Sequence, residues 1–199
     1  MSNAFVGSRS LDIKESSISI KLPESLLIKA REAAEKSSLF YSAKVDVVKS
    51  PYGGNDVERH FMGKIGEYGV EYLLTRLAAR NKQELTIDAV FTDPARDSEC
   101  DIIVNGHRVE VKTWRPVDYD RFGPCIAERQ AKKLAKKCSL ILYVTYNSST
   151  NDYVFRGWNN VTDVDGVEPV LTGRPGKQVL NRVMTPRVVT DLPFMRKVG

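Results

Sequence analysis

Asp101, Glu110 and Lys112 are the residues of this 199-residue chain whose types and spacing could do chemistry together. They flank Asn105-Gly106, the strongest short-range hairpin signal, because both positions of a type I′ loop need positive φ. With those residues as the loop, Val104 faces His107, Ile103 faces Arg108 and Ile102 faces Val109. Asp101 then falls opposite Glu110, with Cβ atoms about 4.5–5.5 Å apart. Alternation sends Ile102, Val104, Val109 and Val111 to one face and Asp101, Arg108, Glu110 and Lys112 to the other, Ile103 being the apolar exception. Carboxylates set opposite each other repel, and a fold gains nothing from that unless a cation lies between them. A hard cation with oxygen ligands is expected: Mg²⁺, with Mn²⁺ as a substitute. Lys112 adds a compact positive charge that can hold a phosphate or help orient and deprotonate a water. The bland alternative is a surface hairpin whose charges are merely solvated.

Such a hairpin needs a sheet and helices to hold it. Ser17–Leu22 alternates like a strand, and Pro23 opens a helix to about Lys36, Pro being tolerated in a first turn. Leu39–Val48 reads as extended chain ending in the turn Ser50–Asn55. From Asp56, a plausible cap, to about Arg80, Phe61, Ile65, Tyr68, Tyr72, Leu73 and Leu77 recur at helical spacing. Gly63, Gly66 and Gly69 are costly inside that helix; either a ligand or backbone comes close there, or the helix packs tightly on the sheet. Leu85–Phe91 reads as a short strand, followed by strands Asp101–Val104 and His107–Thr113. A basic helix Ile126–Lys137, a doubly buried strand Leu140–Tyr146 and a strand Tyr153–Trp158 complete the pattern. The remaining forty or so residues, rich in Gly, Pro and Arg, show no strong periodicity.

Asp101, Glu110-Val111-Lys112 and this order of elements resemble the PD-(D/E)XK nuclease superfamily, the fold of type II restriction enzymes and many repair nucleases. The likeness covers about Asp56 to Trp158; Cys100 stands where many members have proline. It implies an α/β fold, a central mixed β-sheet flanked by helices with a restriction-endonuclease-like αβββαβ core. The expected division is an N-terminal strand-helix extension over 1–50 and a nuclease-like domain over 51–199. It implies that Asp101, Glu110 and the Val111 carbonyl hold Mg²⁺, and that Glu67, on the helix before the sheet, completes the shell directly or through water. Lys112 would position the attacking water, and Gln130 resembles a glutamine some members carry on the helix after the lysine strand. The activity implied is endonucleolytic hydrolysis of DNA, with RNA on the same scaffold as an alternative. The opening strand and helix also resemble a ribbon-helix-helix unit, so a DNA-binding protein that does not cut is a rival expectation.

Composition narrows the partners. A net charge of +5 favours an acidic partner such as DNA. Arg129, Lys132, Lys133, Lys136 and Lys137 would make sequence-independent phosphate contacts, and Arg96, Arg115 and Arg121 lie in loops near the hairpin. Trp114 and Trp158 read as packing residues rather than base-stacking platforms. A second copy of the chain is a further candidate partner. Three widely spaced cysteines and only two histidines support neither a disulfide framework nor a zinc site, and suit a reducing, cytoplasmic setting. No apolar run reaches membrane-spanning length, so a membrane is not expected as a partner.

Overall fold

Asn105 and Gly106 adopt φ of 47° and 82°, the doubly positive pair of a type I′ turn, and they set the register at the centre of the fold. The turn is pinned from outside: Asn105 N–H donates to the Thr86 carbonyl at 2.9 Å, and the Thr86 N–H donates to Asn105 Oδ1 at 2.8 Å. On either side run β4 (Ile102–Val104) and β5 (His107–Trp114), paired Ile102–Val109, Ile103–Arg108 and Val104–His107. This is a computed structural model, and it describes residues 12–14, 17–42, 56–93, 96, 99–173, 176 and 178–195.

The hairpin belongs to a seven-stranded mixed sheet. Before it come β1 (Asp12–Lys14), β2 (Ser17–Lys21), α1 (Glu24–Ser42), α2 (Asp56–Arg80) and β3 (Ile87–Asp88). After it come α3 (Pro116–Phe122), β6 (Cys125–Ala127), α4 (Glu128–Lys137), β7 (Leu140–Asn147) and β8 (Asp152–Asn160), then β9 (Val170–Thr172) and β10 (Val179–Val183). The order across the large sheet is β1-β2-β8-β7-β5-β4-β3, with β5 and β7 parallel and every other neighbour antiparallel. A small second sheet has the order β6-β10-β9. The fold is therefore mixed α/β.

Apolar residues divide the molecule into layers. Ile102, Val104, Val109 and Val111 join Ile65, Leu73, Leu77, Leu142 and Val144 in a core between the sheet and α1/α2. Ile141 and Tyr143 point the other way, into a second cluster with Ala131 and Leu134 of α4, and Ile103 packs against it. Strand β7 supplies both clusters, hence its near-continuous apolar sequence.

Glycines fix how closely α2 lies on the sheet. A Cβ at Gly66 would sit 1.8 Å from Thr113 Oγ1, and one at Gly69 would sit 2.3 Å from the Tyr153 ring. The Tyr153 hydroxyl then donates to the Gly66 carbonyl at 2.8 Å. Tight packing accounts for these glycines. It does not account for Gly63, where, among the described residues and apart from the helix's own backbone, the nearest atom to an added Cβ would be Glu67 Oε1 at 3.9 Å.

The N-terminal strand and helix pack directly on the core. β2 pairs with β8, and Ile18, Ile20, Leu22, Ala30 and Ala34 lie in the core against α2 and the sheet. Several boundaries differ from those expected. Pro23 precedes α1, its carbonyl accepting the Leu26 and Leu27 N–H groups, and α1 runs on to Ser42, so residues 39–42 are helical rather than extended. Nothing in Leu39-Phe40 breaks a helix, so its backbone ladder continues. The rest of that extended stretch and the turn at 50–55 lie outside the described residues. The strand expected over Leu85–Phe91 shortens to Ile87–Asp88, because Val90–Thr92 curls into a 3₁₀ turn with the Phe91 N–H donating to the Asp101 carbonyl at 2.9 Å. The basic helix starts at Glu128, since Cys125–Ala127 pairs with β10.

Candidate metal centre

Strand β5 carries Glu110 and Lys112 on the face opposite Val109 and Val111. Their neighbours in register on β7 are Ile141 and Tyr143, both fully buried in the second cluster. Only 13% of the Glu110 side chain and 19% of the Lys112 side chain are exposed, and Lys112 Nζ donates to Glu110 Oε1 at 2.6 Å. A solvated surface hairpin would expose far more of both, so the bland reading of these charges does not describe their setting.

Asp101 reaches the pair by a route that strand counting alone does not give. It lies just before β4, and its N–H donates to the Val109 carbonyl at 3.0 Å. Its own carbonyl has turned to Phe91, and its carboxylate takes over the next rung, Oδ2 accepting the Val111 N–H at 2.7 Å. In a strand, the N–H and C=O of one residue point to the same side, so the Val111 carbonyl is directed toward Asp101 as well.

Glu67 approaches from α2. It pairs with Lys64 one helical turn earlier, Nζ to Oε2 at 2.8 Å, and Lys64 also donates to the Phe91 carbonyl at 3.0 Å. Phe91 thus ties α2 to Asp101, its carbonyl bound by Lys64 and its N–H bound to the Asp101 carbonyl. Lys64 was not a sequence candidate; its one signal is its place three residues before Glu67.

The charges register this crowding. Burial, then Glu110, then Glu67 push the Asp101 carboxyl well above the usual carboxylate range, against the Val111 N–H and Lys112, which lower it. Burial alone would lower the Lys112 ammonium, but Glu110 and then Asp101 outweigh it and hold Lys112 above its ordinary value. Lys112 is therefore a cation at neutral pH. It is suited to holding a phosphate or orienting a water, and unsuited to accepting a proton from one.

The donor set can be tested against Mg²⁺. Asp101, Glu110 and the Val111 carbonyl offer oxygens only, the kind a hard cation takes, and Mg²⁺ commonly uses one or two carboxylates with water and phosphate for the rest. Among the described residues, no group of three or more His, Cys, Asp or Glu side chains is disposed to hold a metal ion. Glu67 thus acts on Asp101 through its field but does not close into a three-carboxylate cluster with it. The residues fit Mg²⁺ in kind, at the lower end of ligand number.

The basic candidates have separate settings. Arg129, Gln130, Lys132, Lys133 and Lys136 lie on the exposed side of α4, whose buried side is Ala131 and Leu134, while Lys137 is partly buried. Arg96 is held by Asp88 and Glu99, at 2.8 and 3.0 Å, as an internal clamp of its loop, and Arg115 pairs with Asp118 at the start of α3. Trp114 stacks in the second cluster near Tyr119 and Tyr143, and Trp158 donates to the Val188 carbonyl, so both serve packing.

Sequence reasoning missed a cleft of about 640 Å³ between α1, α2 and the Val90–Asp93 turn, with Glu67 and Asp101 in its lining. It could not be seen from the sequence because it forms where α1, α2 and the Val90–Asp93 turn meet, segments whose packing leaves no local pattern. All three cysteines are free thiols, and no described helix is long and apolar enough to cross a membrane. No family model, curated protein or solved structure matches the chain.

Proposed function

We propose that the chain is a divalent-metal-dependent endonuclease that hydrolyses DNA phosphodiester bonds, of the PD-(D/E)XK type, acting in a reducing compartment such as the cytoplasm. One observation carries this reading: the Asp101 carboxylate is anchored at 2.7 Å on the Val111 N–H, between the two residues of β5, Glu110 and Lys112, that pair at 2.6 Å and are largely buried. The order α2, β3, β4, β5, α4, β7 supports it, although α3 and β6 intervene and the sheet extends further, to β8, β2 and β1.

Asp101, Glu110 and the Val111 carbonyl would hold Mg²⁺, with Glu67 reaching it through water. When bound, the ion supplies polarisation of the scissile phosphate and a lowered water pKa. The chain does the rest. The Val111 N–H fixes the Asp101 carboxylate, and Glu110 fixes Lys112. Lys112 can then place a water and stabilise charge developing on the phosphoryl oxygens, which a preorganised, partly buried cation does more effectively than one in water. Lys64 holds Glu67 and the Phe91 turn, keeping Asp101 in position.

The exposed basic side of α4 favours a second reading, a protein that binds DNA without cutting it. Its ribbon-helix-helix version fits poorly, because β2 is hydrogen-bonded to β1 on one edge and β8 on the other, leaving no edge for a partner's ribbon. Incubating the protein with plasmid, linear and branched DNA and Mg²⁺ or Mn²⁺ separates the readings. Cleavage that disappears in Lys112→Ala and Asp101→Ala supports the nuclease, and equal cleavage by wild type and variants points to a contaminant.

A further inference from the structure

Lys64 joins α2 to the turn that carries Phe91. Its ammonium donates to Glu67 Oε2 at 2.8 Å and to the Phe91 carbonyl at 3.0 Å, with 17% of the Lys64 side chain and 14% of the Glu67 side chain exposed. A lysine three residues before a glutamate is ordinarily a solvated helix pair of little consequence. This pair is largely buried, and its second bond goes to a carbonyl outside the helix. Oxygens from separate elements gathered around one compact cation are also what a hard metal ion takes. Mg²⁺ would need those oxygens at about 2.0–2.1 Å, so it cannot share them with Lys64.

The charges around Asp101 are arranged to match. Glu67 and Glu110 both press on Asp101, and each of those two carboxylates is itself tied to an ammonium, Glu67 to Lys64 and Glu110 to Lys112 at 2.6 Å. With Asp101, Glu67 and Glu110 ionised, Lys64 and Lys112 leave one negative charge unbalanced. A single divalent ion at Asp101 more than offsets it, and a second would leave a largely buried centre strongly positive, which is costly away from water. Access does not explain the choice. Lys64, Glu67, Phe91 and Asp101 all line the cleft between α1 and α2, so a dissolved ion can reach them.

We propose that Lys64 fills the position a second metal ion would take, so that the centre holds one divalent ion, at Asp101, and a built-in ammonium in place of another. Lys64 is thereby a positioning residue: it balances the charge of Glu67 and holds that carboxylate at one water's remove from the ion. This rests on the metal-centre reading for the ion at Asp101.

The test counts Mn²⁺ ions bound per full-length chain in the absence of DNA, by titration calorimetry and by loss of the free-ion electron paramagnetic resonance signal, with thermal unfolding of each variant in parallel. Wild type is expected to bind one. Lys64→Met, which keeps the apolar stem and removes the charge, is expected to bind two, the second more weakly, because Glu67 Oε2 and the Phe91 carbonyl are released; Lys64→Gln serves if that variant does not fold. Adding Glu67→Gln should return the count to one, and Lys64→Arg should never leave it. Two ions on wild type would overturn the proposal without any variant and leave the metal centre standing. A count that stays at one when Lys64 is neutralised would also overturn it, again without touching the metal centre. Mn²⁺ bound by neither wild type nor variants would sink the metal centre and this inference with it.

Discussion

The Asp101 carboxylate accepts the backbone N–H of Val111 at 2.7 Å, standing in for a backbone acceptor where β4 parts from β5. This bond holds one acidic oxygen beside Glu110 and Lys112 whether or not a cation is bound. Without a cation, that arrangement is electrostatically costly.

Asp101→Asn is therefore expected to raise the melting temperature of the metal-free protein, since the amide oxygen can still accept the Val111 N–H while the crowded charge is gone. A carboxyl held above its ordinary value favours the protonated native state. The native state is therefore penalised increasingly as pH rises from the usual carboxylate range through the elevated Asp101 value, and constantly above it. Thermal unfolding against pH should show this loss in wild type and a flatter profile in Asp101→Asn. Mn²⁺ should stabilise wild type and not the variant; equal stabilisation of both would place the ion elsewhere.

Lys112→Ala leaves Glu110 partly buried without its ammonium. Breaking such a pair costs about 3–5 kcal/mol when it is fully buried, and somewhat less is expected here, where 13% and 19% of the side chains are exposed. Lys112→Met combined with Glu110→Gln should regain stability but not cleavage. Urea titrations beside cleavage assays separate those effects, and recovery of activity in the double variant would mean the pair is structural.

The hairpin and its charged face were legible because they are local: a turn that needs positive φ fixes a register, and the register fixes which side chains share a face. The Asp101 carbonyl turning to Phe91 was not, since it depends on Val90–Thr92 curling rather than extending. Nor were β6, β9 and β10, three to five residues each: they are too short to leave a periodic trace, and the pairing of β6 with β10 joins segments some fifty residues apart in the chain. The glycines of α2 were legible as an anomaly. Only the packed structure divides them into Gly66 and Gly69 against the sheet and Gly63 at the cleft.

That division predicts opposite signs. Gly66→Ala and Gly69→Ala must move Thr113 or the Tyr153 ring and should destabilise by about 1–3 kcal/mol or more. Gly63→Ala should stabilise by up to about 1 kcal/mol. Chemical denaturation of the three variants checks this, and three equal effects would refute the packing account.

Thiol chemistry reports on the same neighbourhood. Burial, then Glu110 and Asp101, push the Cys138 thiol up to about 12, and burial raises Cys100 and Cys125. Iodoacetamide at neutral pH should modify the native protein slowly and the urea-unfolded protein quickly. Rapid modification of Cys138 in the native state would contradict the burial of the face that carries Glu110 and Lys112.

The central claim is that Asp101, Glu110 and Lys112 form one metal-dependent cutting centre. Its most direct test is nicking of supercoiled plasmid by wild type and by Glu110→Gln, purified in parallel, across a titration of Mn²⁺. The account predicts metal-dependent conversion to open-circular and linear forms by wild type and none by Glu110→Gln. Nicking by both at the same rate, or by neither at any metal concentration, would contradict it.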